Sequence, residues 1–346
     1  MRSRTRRGIA AFTLVELLVA AAILVTMFGF LISLTDQTTR VWTSTAAKVE
    51  QFREARIGFE RVTTRLAQAT LNTYWDYNNP TAPTRYERRS ELRFITGSAP
   101  ALLGTAAGVT RCAHAVFFNA PLGIAGSTND RGLANALNTL GYFVEFGDDT
   151  APFPKFLKDA VAPRWRFRLM EFAQPTENFS LYDPNTLKIT NGWFTTDVNN
   201  ATTSRAMQRV VSENVIALII TPRLAKAEES DPSLNQINAT HSPLAPDYSY
   251  DSTSTNSNPL INKKNQLPPV VQLTMIAMDE KSADKLNLDS TKADVFGISK
   301  LFSNTQNFAA DLATLEGTLG KGRVPYRIFT TNVHIRAAKW SREQAN

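Results

Sequence analysis

One carboxylate stands inside an apolar run. From Phe12 to Leu34 the only charged side chain is Glu16. An ionised group near mid-membrane costs about 2.5–3.5 kcal/mol on insertion scales, so a charge kept there calls for a partner. The other chemistry-bearing residues are scattered. His114, His241 and His334 are far apart, and none has the close His, Cys or carboxylate spacing of a metal motif. There is no G-x-S-x-G and no P-loop, and the glycines at 104 and 108 read as a loop rather than a phosphate cradle. These patterns predict no enzyme and no catalytic residues. Carboxylates gather at Asp279, Glu280, Asp284, Asp289 and Asp294, and at Asp247 and Asp251. They could serve a hard cation such as calcium, but their spacing fits no EF-hand and solvated charge is the default, so no cofactor is expected. Cys112 is the single cysteine, which excludes an intrachain disulfide and a Cys-based metal cage, and it reads as a small buried apolar residue.

The elements that hold Glu16 are easier to read. The 23 residues from 12 to 34 can cross a bilayer as a helix. A cleaved secretory signal has a shorter apolar core. A plain signal anchor fits the length but needs no Glu16. A third reading is a signal cut on the cytoplasmic side, which leaves the apolar helix attached. Arg2, Arg4, Arg6 and Arg7 precede the run, so the positive-inside rule keeps the N-terminus cytoplasmic and exports everything after Leu34. No proline interrupts residues 12–79. Beyond Leu34 the apolar positions Val41, Val49, Phe52, Phe59, Val62, Leu66 and Ala69 keep a helical rhythm, with Gly29 and Gly58 as possible bending points. An amphipathic stalk over 35–75 follows, too short and irregular in heptad for a coiled coil.

The head, 76–346, reads as strands: 91–95, 115–118, a hairpin of 141–146 with 166–172 through a long connection around 153–163, then 210–221, 268–278 and 326–335. Residues 225–266, rich in Asn, Ser, Thr, Pro and Asp, read as a long surface loop. Residues 281–321 read as a helical insertion, with Phe308, Leu312, Leu315 and Leu319 on one face and glycines 320 and 322 at its end. The expected class is α+β, a long N-terminal helix packed on an antiparallel sheet. The net charge of +7 falls to +3 once the four leader arginines are set aside, so no nucleic-acid partner is expected despite Arg85, Tyr86, Arg88 and Arg89 standing together.

The segment Phe12-Thr13-Leu14-Val15-Glu16-Leu17-Leu18-Val19-Ala20 resembles the prepilin signature of type IV pilins and type II secretion pseudopilins. The resemblance implies a leader over 1–11, cleavage between Ala11 and Phe12 by a prepilin peptidase, and N-methylation of the new Phe12 amine. The family's usual residue before the cut is glycine, and here it is Ala11, the nearest small substitute. Gly8 as the cut site would remove Glu16 from the fifth mature position. The resemblance also gives Glu16 its partner, the Phe12 amine of a neighbouring subunit. A buried cation and a buried carboxylate are each costly alone and tolerable as a pair. Short matches at 142–145, 166–169, 213–215, 267–271 and 327–329 are similar in order to J-type minor pseudopilins and W-type minor pilins. The implied role is a structural subunit at the start or tip of a pseudopilus or pilus. The implied partners are other subunits, an inner-membrane assembly platform and lipid. The implied setting is single-pass in a bacterial inner membrane, with a periplasmic or extracellular head. The competing role is a membrane-anchored adhesion or substrate-binding module that uses the 225–266 loop.

Overall fold

The computed structural model describes residues 14–106, 108–129, 132–149, 162–200, 204–229, 231, 234, 241–254 and 261–341. The predicted leader, the Ala11–Phe12 cut and most of the 153–163 connection lie outside them. The chain divides into two compact units, Met1–Gln51 and Phe52–Asn346. The fold is mixed α and β, with a long apolar N-terminal helix and antiparallel sheets.

Helix α1 runs Leu14–Leu66, and its described part of the first unit is helix throughout. It ends at Leu66, short of the expected stalk end at 75, because the chain turns to join the sheet: Thr70 N–H donates to Asn119 O at 2.9 Å.

In the second unit a six-stranded sheet runs in the order β7-β6-β5-β4-β3-β9. Its strands are β3 Phe94–Ser98, β4 Val109–Pro121, β5 Leu137–Asp148, β6 Trp165–Gln174, β7 Gln208–Glu213 and β9 Tyr250–Asp251. A three-stranded sheet, β11-β10-β8, is built from β8 Val215–Arg223, β10 Val270–Met278 and β11 Tyr326–His334. A hairpin of β1 Tyr74–Tyr77 and β2 Tyr86–Arg89 stands apart. Every pairing is antiparallel. The predicted hairpin of 141–146 with 166–172 is β5 on β6.

Alternation along the strands divides the six-stranded sheet into two faces. On one, Phe117, Gly141 and Phe172 lie in register. A Cβ at Gly141 would reach the Phe117 ring at 2.1 Å, so the strand must carry glycine there. Phe117 stacks on Phe194, centroids 3.8 Å apart, which seats the short helix α3 (Gly192–Asn199) on this face; a shorter helix, α2 (Ala99–Leu103), precedes β4. The opposite face carries Val116, Tyr142, Glu171 and Arg209 in register, and it receives the later part of α1.

The single predicted strand region 210–221 is two strands in two sheets. Asn214 turns between them with φ 60°, a left-handed conformation that Asn tolerates. Its N–H donates to Phe167 O of β6 and its carbonyl accepts from Met278 N–H of β10. One residue thus joins both sheets.

Two predicted insertions differ from expectation. Residues 225–266 are not a surface loop over their described second half. Leu244, Ala245, Tyr248 and Tyr250 are buried, and β9 pairs with β3. Two tyrosines supply enough apolar area to draw a polar stretch into the core. The helical insertion 281–321 is α-helical only near its ends, in α4 (Glu280–Lys285) and α5 (Phe308–Lys321), with 3-10 turns at Ile298–Lys300 and Thr305–Asn307 between them. In the same interval Asp289 accepts from Thr291 N–H and Asp294 from Ser299 N–H, local turns that compete with helix. On α5 the predicted face holds: Leu315 and Leu319 are buried, and Phe308 and Leu312 pack against the core.

Candidate functional site

The first stretch of α1, Leu14–Thr43, is long and apolar enough to cross a membrane. Its large side chains are exposed from Leu14 through Leu34, where a soluble helix would bury a stripe. Glu16 sits in the first turn on this exposed surface. A carboxylate in a first turn is favoured by the positive end of the helix dipole. Thr26, Thr35, Thr38 and Thr39 return their hydroxyls to backbone carbonyls of the preceding turn, which hides their polarity. Ala11 and Phe12 lie outside the described residues.

The later stretch of α1 is held within the second unit by charge as well as by burial. Ala55, Phe59, Val62 and Leu66 are buried. Arg61 Nε donates to Glu171 Oε2 at 2.6 Å, Arg209 Nε donates to Glu171 Oε1 at 2.8 Å, and Tyr142 donates its hydroxyl to Oε2 at 2.8 Å. Glu171 has no solvent exposure. Burial alone would raise its pKa, but the hydrogen bonds from Arg61, Arg209 and Tyr142 reverse this and hold it below the usual value. Burial, then the neighbouring carboxylate, pushes Tyr142 well up, so it stays a donor. Sequence reasoning missed this cluster. The signal was the alternation of β6, which places Glu171 on the face of Phe167 and Leu169 while Arg166 and Arg168 take the other. Nearby, Gly58 brings the helix close: a Cβ there would lie 3.2 Å from both Ser212 Cβ and Val211 Cγ1. This glycine marks a contact, not a bend.

Several of the remaining candidates are engaged in contacts within the fold. His114 Nε2 donates to Phe302 O at 2.9 Å, and Nδ1 accepts from Ile220 N–H at 3.2 Å, which sets a neutral ring. Burial lowers its pKa to about 4. His241 is buried beside Thr305, and His334 is exposed at the end of β11. Burial drives the Cys112 thiol up to about 12, so it is inert. Of the carboxylates considered for calcium, Asp279 caps α4 and Glu280 and Asp284 bind Arg166. Asp247 and Asp251 cap local turns. Among the described residues no three His, Cys, Asp or Glu side chains converge on one point. Arg85, Tyr86, Arg88 and Arg89 lie on the β1–β2 hairpin, where Tyr86 stacks on Tyr77 and Arg88 lies over Trp75.

Compared with known proteins, the chain matches no family model, no curated protein and no solved structure.

Proposed function

We propose that this chain is a membrane-anchored structural subunit of a pilin-like filament, a minor pseudopilin or pilin, with no catalytic role. One observation carries the reading: a single helix is apolar and exposed from Leu14 through Leu34, with Glu16 in its first turn, and near its other end buries Ala55, Phe59, Val62 and Leu66 in the second unit. An apolar surface of that size needs lipid or other helices around it. The prepilin-like motif from Phe12 to Ala20 and the antiparallel head support the same reading. In it, peptidase cleavage after Ala11 leaves a methylated Phe12 amine, and Glu16 of one subunit pairs with that amine on the next. The first stretch then passes from the inner membrane into a filament, with the head on the exported side.

The test is Glu16→Ala in the full chain. Membrane insertion should be intact, and recovery in sheared filaments or in crosslinks with neighbouring subunits should fall at least tenfold. Mass spectrometry of the mature N-terminus should find methylated Phe12. Unchanged assembly overturns the pairing, and an N-terminus anywhere but Phe12 overturns the signature.

A further inference from the structure

The six- and three-stranded sheets of the second unit end in four edges, and three of the four are short, bulged or capped. β9 has two residues. β7 is short, and its register with β6 shifts at Leu169/Met170. The outer edge of β8 is capped where His114 Nδ1 takes the Ile220 N–H. Short strands, bulges and covering groups are the usual protections against unwanted pairing. β11 has none of them. It runs nine residues in unbroken register with β10.

The direction of its hydrogen bonds follows from the ladder's two ends. Asp279 N–H donates to Pro325 O, and Ile335 N–H donates to Pro269 O. Antiparallel residues alternate between facing the partner and facing away. The odd-numbered residues of β11 therefore bond to β10. Ile328, Thr330, Asn332 and His334 turn their N–H and C=O groups outward. Among the described residues nothing pairs with these backbone groups, and the side chains of Thr330, Asn332 and His334 are exposed. The exposed charges that follow in sequence are mostly cationic. Residues 317–341 hold Lys321, Arg323, Arg327, Arg336 and Lys339, all exposed, and no carboxylate, and the nearest preceding carboxylate, Glu316, accepts the Tyr326 hydroxyl at 3.1 Å. Among the described residues none of the five makes an ion pair.

We infer that the outer edge of β11 is a docking site for an extended acidic segment of another polypeptide, added as a further strand. Backbone hydrogen bonds to the four outward residues give the affinity, and the cations select the partner's charge. A second copy of this chain is the wrong occupant. Edge-to-edge pairing of two β11 strands would set like charges against each other.

The probe is a capped nine-residue peptide alternating glutamate with valine and threonine. It is fluorescently labelled and titrated into the full chain in detergent micelles. Saturable binding is expected, weakening as salt rises. A matching peptide with lysine for glutamate should bind at least tenfold more weakly. Asn332→Pro removes only an outward N–H and should weaken binding at least tenfold, and Thr330→Pro should do the same. Circular dichroism checks that both variants are folded. Hydrogen exchange on the unaltered chain reads the edge without substitution. The acidic peptide should slow the amides of Ile328, Thr330, Asn332 and His334 at least tenfold and leave those of Phe329 and Thr331 unchanged. Absent binding, equal binding of both peptides, or exchange unchanged at the four outward amides overturns the inference. Self-association that Asn332→Pro abolishes overturns the choice of occupant.

Discussion

Helix α1 meets the same problem twice and answers it in two ways. In its first stretch the most apolar residues of the chain are exposed, and the carboxylate among them, Glu16, lies on that exposed surface. In its last stretch a less apolar pattern is buried, and the charge that comes with it, Arg61, meets a carboxylate inside the same unit. Hydropathy alone would have buried the first stretch and exposed the second. The difference lies in whether the unit around the helix supplies a surface to pack on. The Phe52–Asn346 unit supplies a sheet face and Glu171. Among the described residues no such face covers the large apolar side chains of the first stretch, which stay exposed.

The sharpest way to break this comparison is to remove the buried carboxylate. Glu171→Gln leaves two guanidiniums without their counter-charge and puts an NH2 donor where one of them now finds an acceptor oxygen. Their side chains keep 37% and 50% exposure, so they can turn toward water. The loss therefore falls at the low end for a broken buried pair, about 3 kcal/mol, read by denaturant unfolding of the full chain in detergent. The sign with pH is fixed. The folded pKa of Glu171 lies below its unfolded value. Its contribution is present above the ordinary carboxylate value and is lost as pH falls through the depressed one. The Gln variant should lose that part of the acid dependence. The converse change, Leu24→Arg, should cost about 2.5–3.5 kcal/mol in membrane insertion and leave unfolding of the second unit unchanged. If Glu171→Gln is neutral, or if Leu24→Arg unfolds the head, the two stretches do not differ as described.

How the chain folds was legible where alternation and apolar runs are strong. β5, β6, β8, β10 and β11 each follow such a run. Residues 91–95 were read about three positions early, because Leu92 is buried just before β3 begins. Elsewhere the decisive interactions are long-range. The Arg61–Glu171 pair spans 110 positions, and nothing local marks Arg61 apart from its solvated neighbours Arg53 and Arg56. The burial of Tyr248 and Tyr250 depends on the open edge of β3, which composition does not show. Glu16 was legible because a membrane-length run makes one charge conspicuous.

His114 sharpens the idea that the second unit satisfies its own polar groups. Its ring is neutral in the folded state, with a pKa near 4 against an ordinary 6.5. Between those values the unfolded chain binds a proton that the native chain refuses, so stability falls as pH falls through that window. From pH 7 to pH 5 the loss is about 2 kcal/mol. His114→Gln keeps a donor and an acceptor but cannot titrate. It should be less stable at pH 7 and flatter between pH 7 and 5 in the same unfolding measurement. An equal slope in both proteins would place the acid sensitivity elsewhere.

The smallest effect separates the two glycines of the helix. Both read as bending points in the sequence, and their surroundings are opposite. A Cβ at Gly29 meets nothing within 4 Å, whereas one at Gly58 presses on Ser212 and Val211 at 3.2 Å. Alanine raises helix propensity by about 1 kcal/mol at either site. At Gly58 the crowding works against that gain, because overpacking a fitted contact costs about 1–3 kcal/mol. Gly58→Ala should therefore destabilise the second unit by about 1 kcal/mol, seen as a lower unfolding midpoint. Gly29→Ala should leave the midpoint where it is. A stabilised Gly58→Ala would mean that helix and sheet can separate by a few tenths of an ångström without loss. The seat of the later stretch would then rest on the Glu171 cluster rather than on close packing.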